Sequence, residues 1–191
     1  MNRDLKKSIL EDLYRYTGKS DLKHFLKAII TIPGFRYLFH LRRYRFFYEK
    51  KKRIRFFLAR FRLRRLSYKF GIQIPYLTKI GRGFYIGHFG GIVINPSVTI
   101  GDNVNIAQGV TLGQENRGER RGSPRIGSKV WIGPNSVVVG KIRIGDNVLI
   151  GANSFINFDV PDEAVVVGNP SRIISYKGTD GYINRTVEEK Q

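Results

Sequence analysis

At 191 residues the chain has room for one domain and an appendage, and its lack of cysteine excludes disulfides, a thiol nucleophile and thiolate-bound metal. Its net charge of +19 is uneven: residues 1–73 hold 21 Lys/Arg against 5 Asp/Glu, residues 74–174 hold 10 against 7, and the tail from Ser175 is neutral. Met1-Asn2-Arg3-Asp4 lacks a signal-peptide pattern and no apolar run approaches the ~20 residues of a spanning helix, so a cytoplasmic protein is expected, held peripherally at the inner face of the cell membrane if the basic part binds lipid.

Residues 2–17 read as a helix, with Leu5, Ile9, Leu10, Leu13 and Tyr14 on one side and Gly18 at its end. Ser20 is the expected cap of a second helix to about Ile30, and Pro33-Gly34 the turn after it. Phe35 to Phe70 carries fourteen Lys/Arg against one acid, Glu49. Within it Ile54, Phe57, Leu58 and Phe61 fall at i, i+3, i+4, i+7, one apolar helix face. Such a face packs on the rest of the chain or a neighbouring subunit, or lies on an anionic membrane surface. Basic residues with aromatics also suit nucleic acid. No nucleic-acid motif is present, so that partner is not expected.

From Ile74 to about Pro161 an aliphatic residue recurs every six positions: Ile74, Ile80, Ile86, then Ile94, Ile100, Ile106, Leu112, then Ile126, Ile132, Val138, Ile144, Ile150, Ile156. A fixed period of this kind marks a repeat architecture. Three six-residue rungs close a triangular coil, and coils pair at roughly 4.8 Å. The expected fold is an all-β parallel β-helix of a little over four coils behind a basic α-helical region. The expected divisions are a basic helical region over 1–70, a β-helix domain over 71–174 and a polar, mobile tail over 175–191. Gly follows many of the aliphatics, as at Gly81, Gly101, Gly127 and Gly145, where it is expected to ease the corner geometry. Hairpins are the rival reading, but their period of two does not hold a six-residue register.

The register breaks twice. Two extra residues fall in Gly87-His88-Phe89-Gly90-Gly91, and eight in a polar loop from Gln114 to Pro124. Insertions on a rigid scaffold are where chemistry collects. His88 is the repeat domain's one histidine, in a glycine-bracketed break where packing does not require an imidazole. A lone histidine also falls short of the three ligands that a catalytic zinc site wants, so no metal is expected. The loop reads as a lid or a subunit contact. The register is expected to end at Asp159-Val160-Pro161.

Several segments carry a resemblance: Lys79-Ile80-Gly81-Arg82-Gly83, His88 followed by Gly91-Ile92-Val93, Gln108-Gly109-Val110-Thr111-Leu112-Gly113, Ile150-Gly151-Ala152-Asn153-Ser154, and Val167-Gly168-Asn169-Pro170-Ser171-Arg172. Over roughly Phe70 to Ile174 the chain resembles the hexapeptide-repeat acyltransferases, in particular their serine acetyltransferase branch. That resemblance implies a left-handed coil, a homotrimer, and acetyl-CoA as co-substrate in a groove between neighbouring prisms. It implies His88 as general base. It places Gly113, Pro134, Gly151 and Ala152 along the pantetheine arm, and Arg172 and Lys177 near the nucleotide phosphates.

The acceptor side departs from the branch's pattern. Gln73 stands where the branch has an Asp orienting the histidine, Gly87 where it has an acid, and Gly122-Ser123 where it has an Arg-His pair. Gln73, Gly87, Gln114 and Ser123 are therefore the expected acceptor-binding positions, in a pocket without the charges that hold a zwitterion. On this pattern the chain most resembles family members that O-acetylate sugars of capsular or other surface polysaccharides. The expected acceptor is a sugar or lipid-linked oligosaccharide. The alternatives are serine O-acetylation, N-acetylation of an amino sugar, and a non-enzymatic scaffold.

Overall fold

A computed structural model describes residues 3–190 of the chain. Met1 and Asn2, at the start of the expected first helix, and Gln191, at the end of the expected tail, lie outside the described residues. Four helices come first: α1 (Arg3–Thr17), α2 (Leu22–Thr31), α3 (Pro33–Glu49) and α4 (Arg53–Phe70). The first ends as expected, at Gly18 in the left-handed region (φ 69°). The second is capped by Asp21, whose carboxylate accepts the His24 N–H; Ser20 instead donates its hydroxyl to the Leu10 carbonyl. Pro33-Gly34 is not a turn. Proline opens α3, where its missing N–H has no intrahelical partner to lose. The basic stretch is two helices rather than one, broken near Lys51 at φ 51°.

Thirteen two- or three-residue strands follow, from Ile72–Gln73 to Phe155–Ile156. They stack in three parallel sheets, one per face of a prism. The first face holds Ile72–Gln73, Ile92–Ile94, Thr111–Gly113, Val137–Val139 and Phe155–Ile156. The second holds Lys79–Ile80, Thr99–Ile100, Arg125–Ile126 and Arg143–Ile144. The third holds Tyr85–Ile86, Asn105–Ile106, Trp131–Ile132 and Leu149–Ile150. The repeated aliphatics point inward and stack in register: Ile86 on Ile106 on Ile132 on Ile150, and Ile94 on Leu112 on Val138 on Ile156. All eight are buried.

The register runs past Pro161. Val160 bridges Ile144, and Val165–Gly168 adds to the third face beside Leu149–Ile150 before Ser171–Ser175 returns antiparallel. Pro161 removes an N–H at a corner, not within a strand, so the coil tolerates it. The tail then packs back. Thr179, Thr186 and Val187 are buried, and Val187 N–H and Glu188 both hydrogen-bond to Asn103.

The repeat glycines have a different reason from the expected one. None of Gly81, Gly101, Gly127 and Gly145 takes a left-handed φ. The left-handed residue of each of these corners comes two places later, at Gly83, Asn103, Lys129 and Asn147. The glycines are needed because the coils touch there: a Cβ on Gly101 would lie 2.6 Å from the carbonyl carbon and oxygen of Gly127.

The helices close the top of the prism. The first coil has no coil above it, and side chains of α1 and α3 meet its backbone groups. Arg42 donates to the carbonyls of Ile80 (2.8 Å) and Gly81 (2.5 Å), and Arg45 to that of Thr78 (2.9 Å). The Tyr37 hydroxyl accepts the Ile74 N–H and donates to the Ile74 carbonyl; Tyr16 does the same for Ile86. Asp12, 1% exposed, accepts the Phe84 N–H and a two-pronged bond from Arg42. Burial pushes the Asp12 carboxyl up, and Arg42 pulls it back.

Breaking the Asp12–Arg42 pair leaves a buried carboxylate without its cation. Arg42→Ala is expected to cost about 3–5 kcal/mol of unfolding free energy in urea. Gly101→Ala, which forces a methyl into the next coil, is expected to cost about 1–3 kcal/mol in the same measurement.

Candidate active site

The turns between the third and first faces line up along one edge of the prism. Coil by coil the edge carries Gly87–Gly91, Ala107–Gly109, Gly133–Asn135 and Gly151–Asn153, stitched by Gly109 N–H to Gly90 O, Asn135 N–H to Gln108 O, and Asn153 N–H to Pro134 O, at 2.8, 3.0 and 2.8 Å. The turns below the first coil take three residues each. The 87–91 turn takes five, and its surplus lifts His88 and Phe89 off the edge, where both are exposed. Gly90 and Gly91 make this possible with φ of 110° and 65°. No hydrogen bond joins His88 to another described residue.

Beside His88 lies a cleft of about 540 Å³ over the third face. The residue before each inward aliphatic points out here, which stacks Tyr85, Asn105 and Trp131 in one column. Pro134 and Ala107 line the edge side; Arg15 and Tyr16 of α1 and Tyr182 of the tail line the other. Tyr182 packs on Trp131 with ring centroids 5.0 Å apart, and Tyr16 on Tyr85 at 4.4 Å. Arg15 donates to the Gly83 carbonyl (3.0 Å), to the Asn184 carbonyl and to the Asn105 side chain. Burial pushes the Tyr16 phenol well above its ordinary value, so it stays a neutral donor and acceptor. The lining holds two arginines, Arg15 and Arg185, and no carboxylate. The side-chain oxygen of Gln108, one coil below His88 on the edge, is buried with no hydrogen-bond partner among the described residues.

Residues 123–157 match the family model of the bacterial transferase hexapeptide (six repeats). The chain is 33% identical to a serine acetyltransferase of Bacillus pumilus, over 88% of this chain and 75% of that one. It is 38% identical to a serine acetyltransferase of Staphylococcus aureus, over 80% of this chain and 70% of that one. Among solved structures, Neisseria gonorrhoeae serine acetyltransferase in complex with serine superposes with a TM-score of 0.75 at 31% identity, covering 91% of this chain and 70% of that one. The Brucella abortus serine acetyltransferase in complex with coenzyme A gives 0.74 at 27%, covering 92% and 68%.

The chain belongs to the serine acetyltransferase family. It is an acyltransferase, and the family carries with it the left-handed β-helix.

The serine acetyltransferase-like residues expected from the sequence fall in three places. Pro134, Gly151 and Ala152 lie on the His88 edge, which runs on through Asn169-Pro170 to the exposed Arg172. Lys177 lies away from it, at the opposite side of the third face, where the neighbouring Gly178 N–H bonds to the Glu163 carbonyl. Gly113, Gln114 and Ser123 lie across the first face at the loop-bearing edge. There Asn95 joins them: its amide donates to Gln114 (3.1 Å), and its oxygen accepts from Ser123 (3.2 Å). Gln73 is exposed on the first face, paired with Val93, and no hydrogen bond links it to His88.

Among the described residues no group of three or more His, Asp or Glu side chains converges as a metal site would require. The sequence reading missed Arg15, Tyr16, Asn105, Trp131 and Tyr182. The outward column was available from the repeat position; the α1 and tail contributions were not.

Trp131 is the chain's one tryptophan, so it reports on this cleft alone. Tyr182→Ala opens the indole to water, and its fluorescence emission is expected to move to longer wavelength with the far-ultraviolet circular dichroism unchanged.

Proposed function

We propose that this chain is an acetyl-CoA-dependent O-acetyltransferase with His88 as its general base. The observation that carries the reading is the position of His88. It is an exposed imidazole raised from the prism edge by the first insertion, beside a cleft, in a chain of an acyltransferase family. The donor is acetyl-CoA. Pro134, Gly151 and Ala152 on the same edge suit the pantetheine arm, and the exposed Arg172 beyond them suits a nucleotide phosphate.

The acceptor hydroxyl gives its proton to an imidazole nitrogen of His88 as its oxygen attacks the thioester carbonyl. Backbone N–H groups of the groove hold the oxyanion. Collapse breaks the C–S bond, and the leaving thiolate takes the proton back from the imidazolium. With no cysteine for an acyl-enzyme, transfer is direct in a ternary complex. The acceptor-side residues Gln114 and Ser123 sit across the first face from His88, so one copy alone does not assemble them with the base. A second prism laid on that face brings one copy's loop towards another's histidine, which supports a homotrimer as the working form.

Two acceptors have support. L-Serine is favoured by the comparisons, which support it better than a sugar: the relatives described above are named serine acetyltransferases, one of them solved with serine. A neutral sugar hydroxyl is favoured by the lining. Among the described residues no carboxylate borders the cleft, so an ammonium group finds no counter-charge from them there. Gly87 and Gly122-Ser123 supply no charged side chain either. Each lost charge-assisted hydrogen bond is worth about 1.5–3 kcal/mol.

One assay separates them. Purified protein with acetyl-CoA and millimolar L-serine is expected to release CoA if serine is the acceptor, and His88→Ala to lower kcat by roughly 10²–10⁴. Acetyl-CoA binding by thermal shift without serine turnover transfers the acceptor role to neutral sugars and lipid-linked oligosaccharides. A base-stable product would point to an amide and remove O-acetylation. An unaltered rate in His88→Ala would overturn the role of His88.

A further inference from the structure

We propose that the α3–α4 hairpin is a docking surface for an anionic lipid bilayer. The inference stands apart from the identity of the acceptor. It starts from the apolar face of α4, which does not pack on the β-helix. Ile54, Phe57, Leu58 and Phe61 are 78, 62, 63 and 64% exposed, while Ala59, Leu63 and Phe70 turn inward. Four bulky apolar side chains on two turns of helix are costly to leave in water.

The charge around this stripe decides what covers it. From Lys50 to Phe70 the chain has ten Lys/Arg and no acid. The nearest acid in sequence, Glu49, is engaged by Arg45 at 2.8 Å. Beside the stripe, Arg43, Arg55 and Arg62 surround a cleft of about 360 Å³ whose wall includes Phe47, Leu58 and Ala59. Burial and the charges of Arg62 and Arg55 hold Arg43 below its ordinary pKa, and no acid among the described residues pairs with any of the three. His40 in the same cleft is pushed down to about 4, first by burial and then by Arg43, Arg62 and Arg36, so it is uncharged at neutral pH.

A second copy of this chain is the poorer occupant, because it sets ten cations against ten. A nucleic acid answers the charge but not the four exposed aliphatic and aromatic side chains. An anionic membrane answers both: phosphate headgroups meet the guanidiniums, and the stripe enters the acyl boundary. No described helix is long and apolar enough to cross a membrane, so the hairpin lies on the surface.

The test is co-sedimentation of the full chain with vesicles of phosphatidylcholine alone or with a third phosphatidylglycerol, at low and high salt. Binding to the anionic vesicles, weakened by salt and slight on neutral ones, is expected. Arg55→Gln/Arg62→Gln is expected to weaken it roughly thirtyfold, and Phe57→Ser/Phe61→Ser at least tenfold, with melting temperature held as the check on folding. No binding, or equal binding to neutral and anionic vesicles, overturns the proposal. So does a Phe57→Ser/Phe61→Ser variant that changes oligomeric state while vesicle binding stays intact, since the stripe then belongs to a subunit contact. Tighter salt-sensitive binding to a single-stranded RNA oligomer than to the vesicles also overturns it.

Discussion

A stacked coil satisfies its backbone only where another coil lies beside it. Within this prism each rung's N–H and carbonyl groups meet those of the coils above and below, and the inward aliphatics follow in register. The first coil has no neighbour on one side, and an open edge of that kind invites pairing with another chain. Here the edge is closed by side chains. Arg42, Arg45, Tyr16, Tyr37 and Asp12, all from α1 and α3, take up its free carbonyl and amide groups. The helical region is therefore part of the β-helix's hydrogen bonding as well as its own small core around Ile9, Leu13 and Phe35.

That closure reaches the candidate site. The residues of α1 that finish the top coil also wall the cleft: Tyr16 fixes Ile86, one residue before Gly87-His88, and Arg15 ties Gly83 and Asn105 to the tail at Asn184. The five-residue turn that carries His88 thus begins from a strand held on both sides. Its inner side is the coil below, through Gly87 N–H to Ile106 O at 3.0 Å; its outer side is the Tyr16 hydroxyl. A candidate base raised on a turn with Gly90 and Gly91 needs such an anchor, because the glycines that lift it have no side chains to restrain it.

The repeat made the prism legible from the residues alone, since a six-residue aliphatic period has no other packed solution of this length. The two breaks in that period located His88 and the 114–124 loop for the same reason. What stayed hidden depends on partners distant in sequence. The wheel of α4 showed an apolar face at Ile54, Phe57, Leu58 and Phe61, but a wheel does not say which face turns inward, and Ala59, Leu63 and Phe70 are the α4 residues that are buried. Pro33 signals either a turn or a helix start, and the α3 side chains that pack on the first coil chose the second. Gly101 and its counterparts read as corner glycines; only the stacked coils show that contact across the corner, not φ, excludes a Cβ. The tail's polar composition hid Val187 and Tyr182, whose places are set by Asn103 and Trp131 some 84 and 51 positions earlier.

The prism also separates two kinds of change. The edge carrying His88, Pro134 and Ala152 is held by backbone bonds between coils, so substitutions there meet a rigid stack. The edge carrying Asn95, Gln114 and Ser123 is held by side-chain amides and hydroxyls around an eight-residue insertion, closed by the reciprocal Glu115–Gly122 bonds at 2.9 Å. Composition of that loop can change without disturbing the coil register. On the reading proposed above, such a scaffold can keep one donor edge and base while the loop edge is refitted to a different hydroxyl. Of the positions where the sequence departs from the serine acetyltransferase-like pattern, Gly122-Ser123 falls at the loop edge, Gly87 in the turn that raises His88 and Gln73 on the first face, and none lies in the stacked Gly133–Asn135 and Gly151–Asn153 corners. On that same reading, the donor half of the chemistry rests on the stacked coil and the acceptor half on the insertions it tolerates.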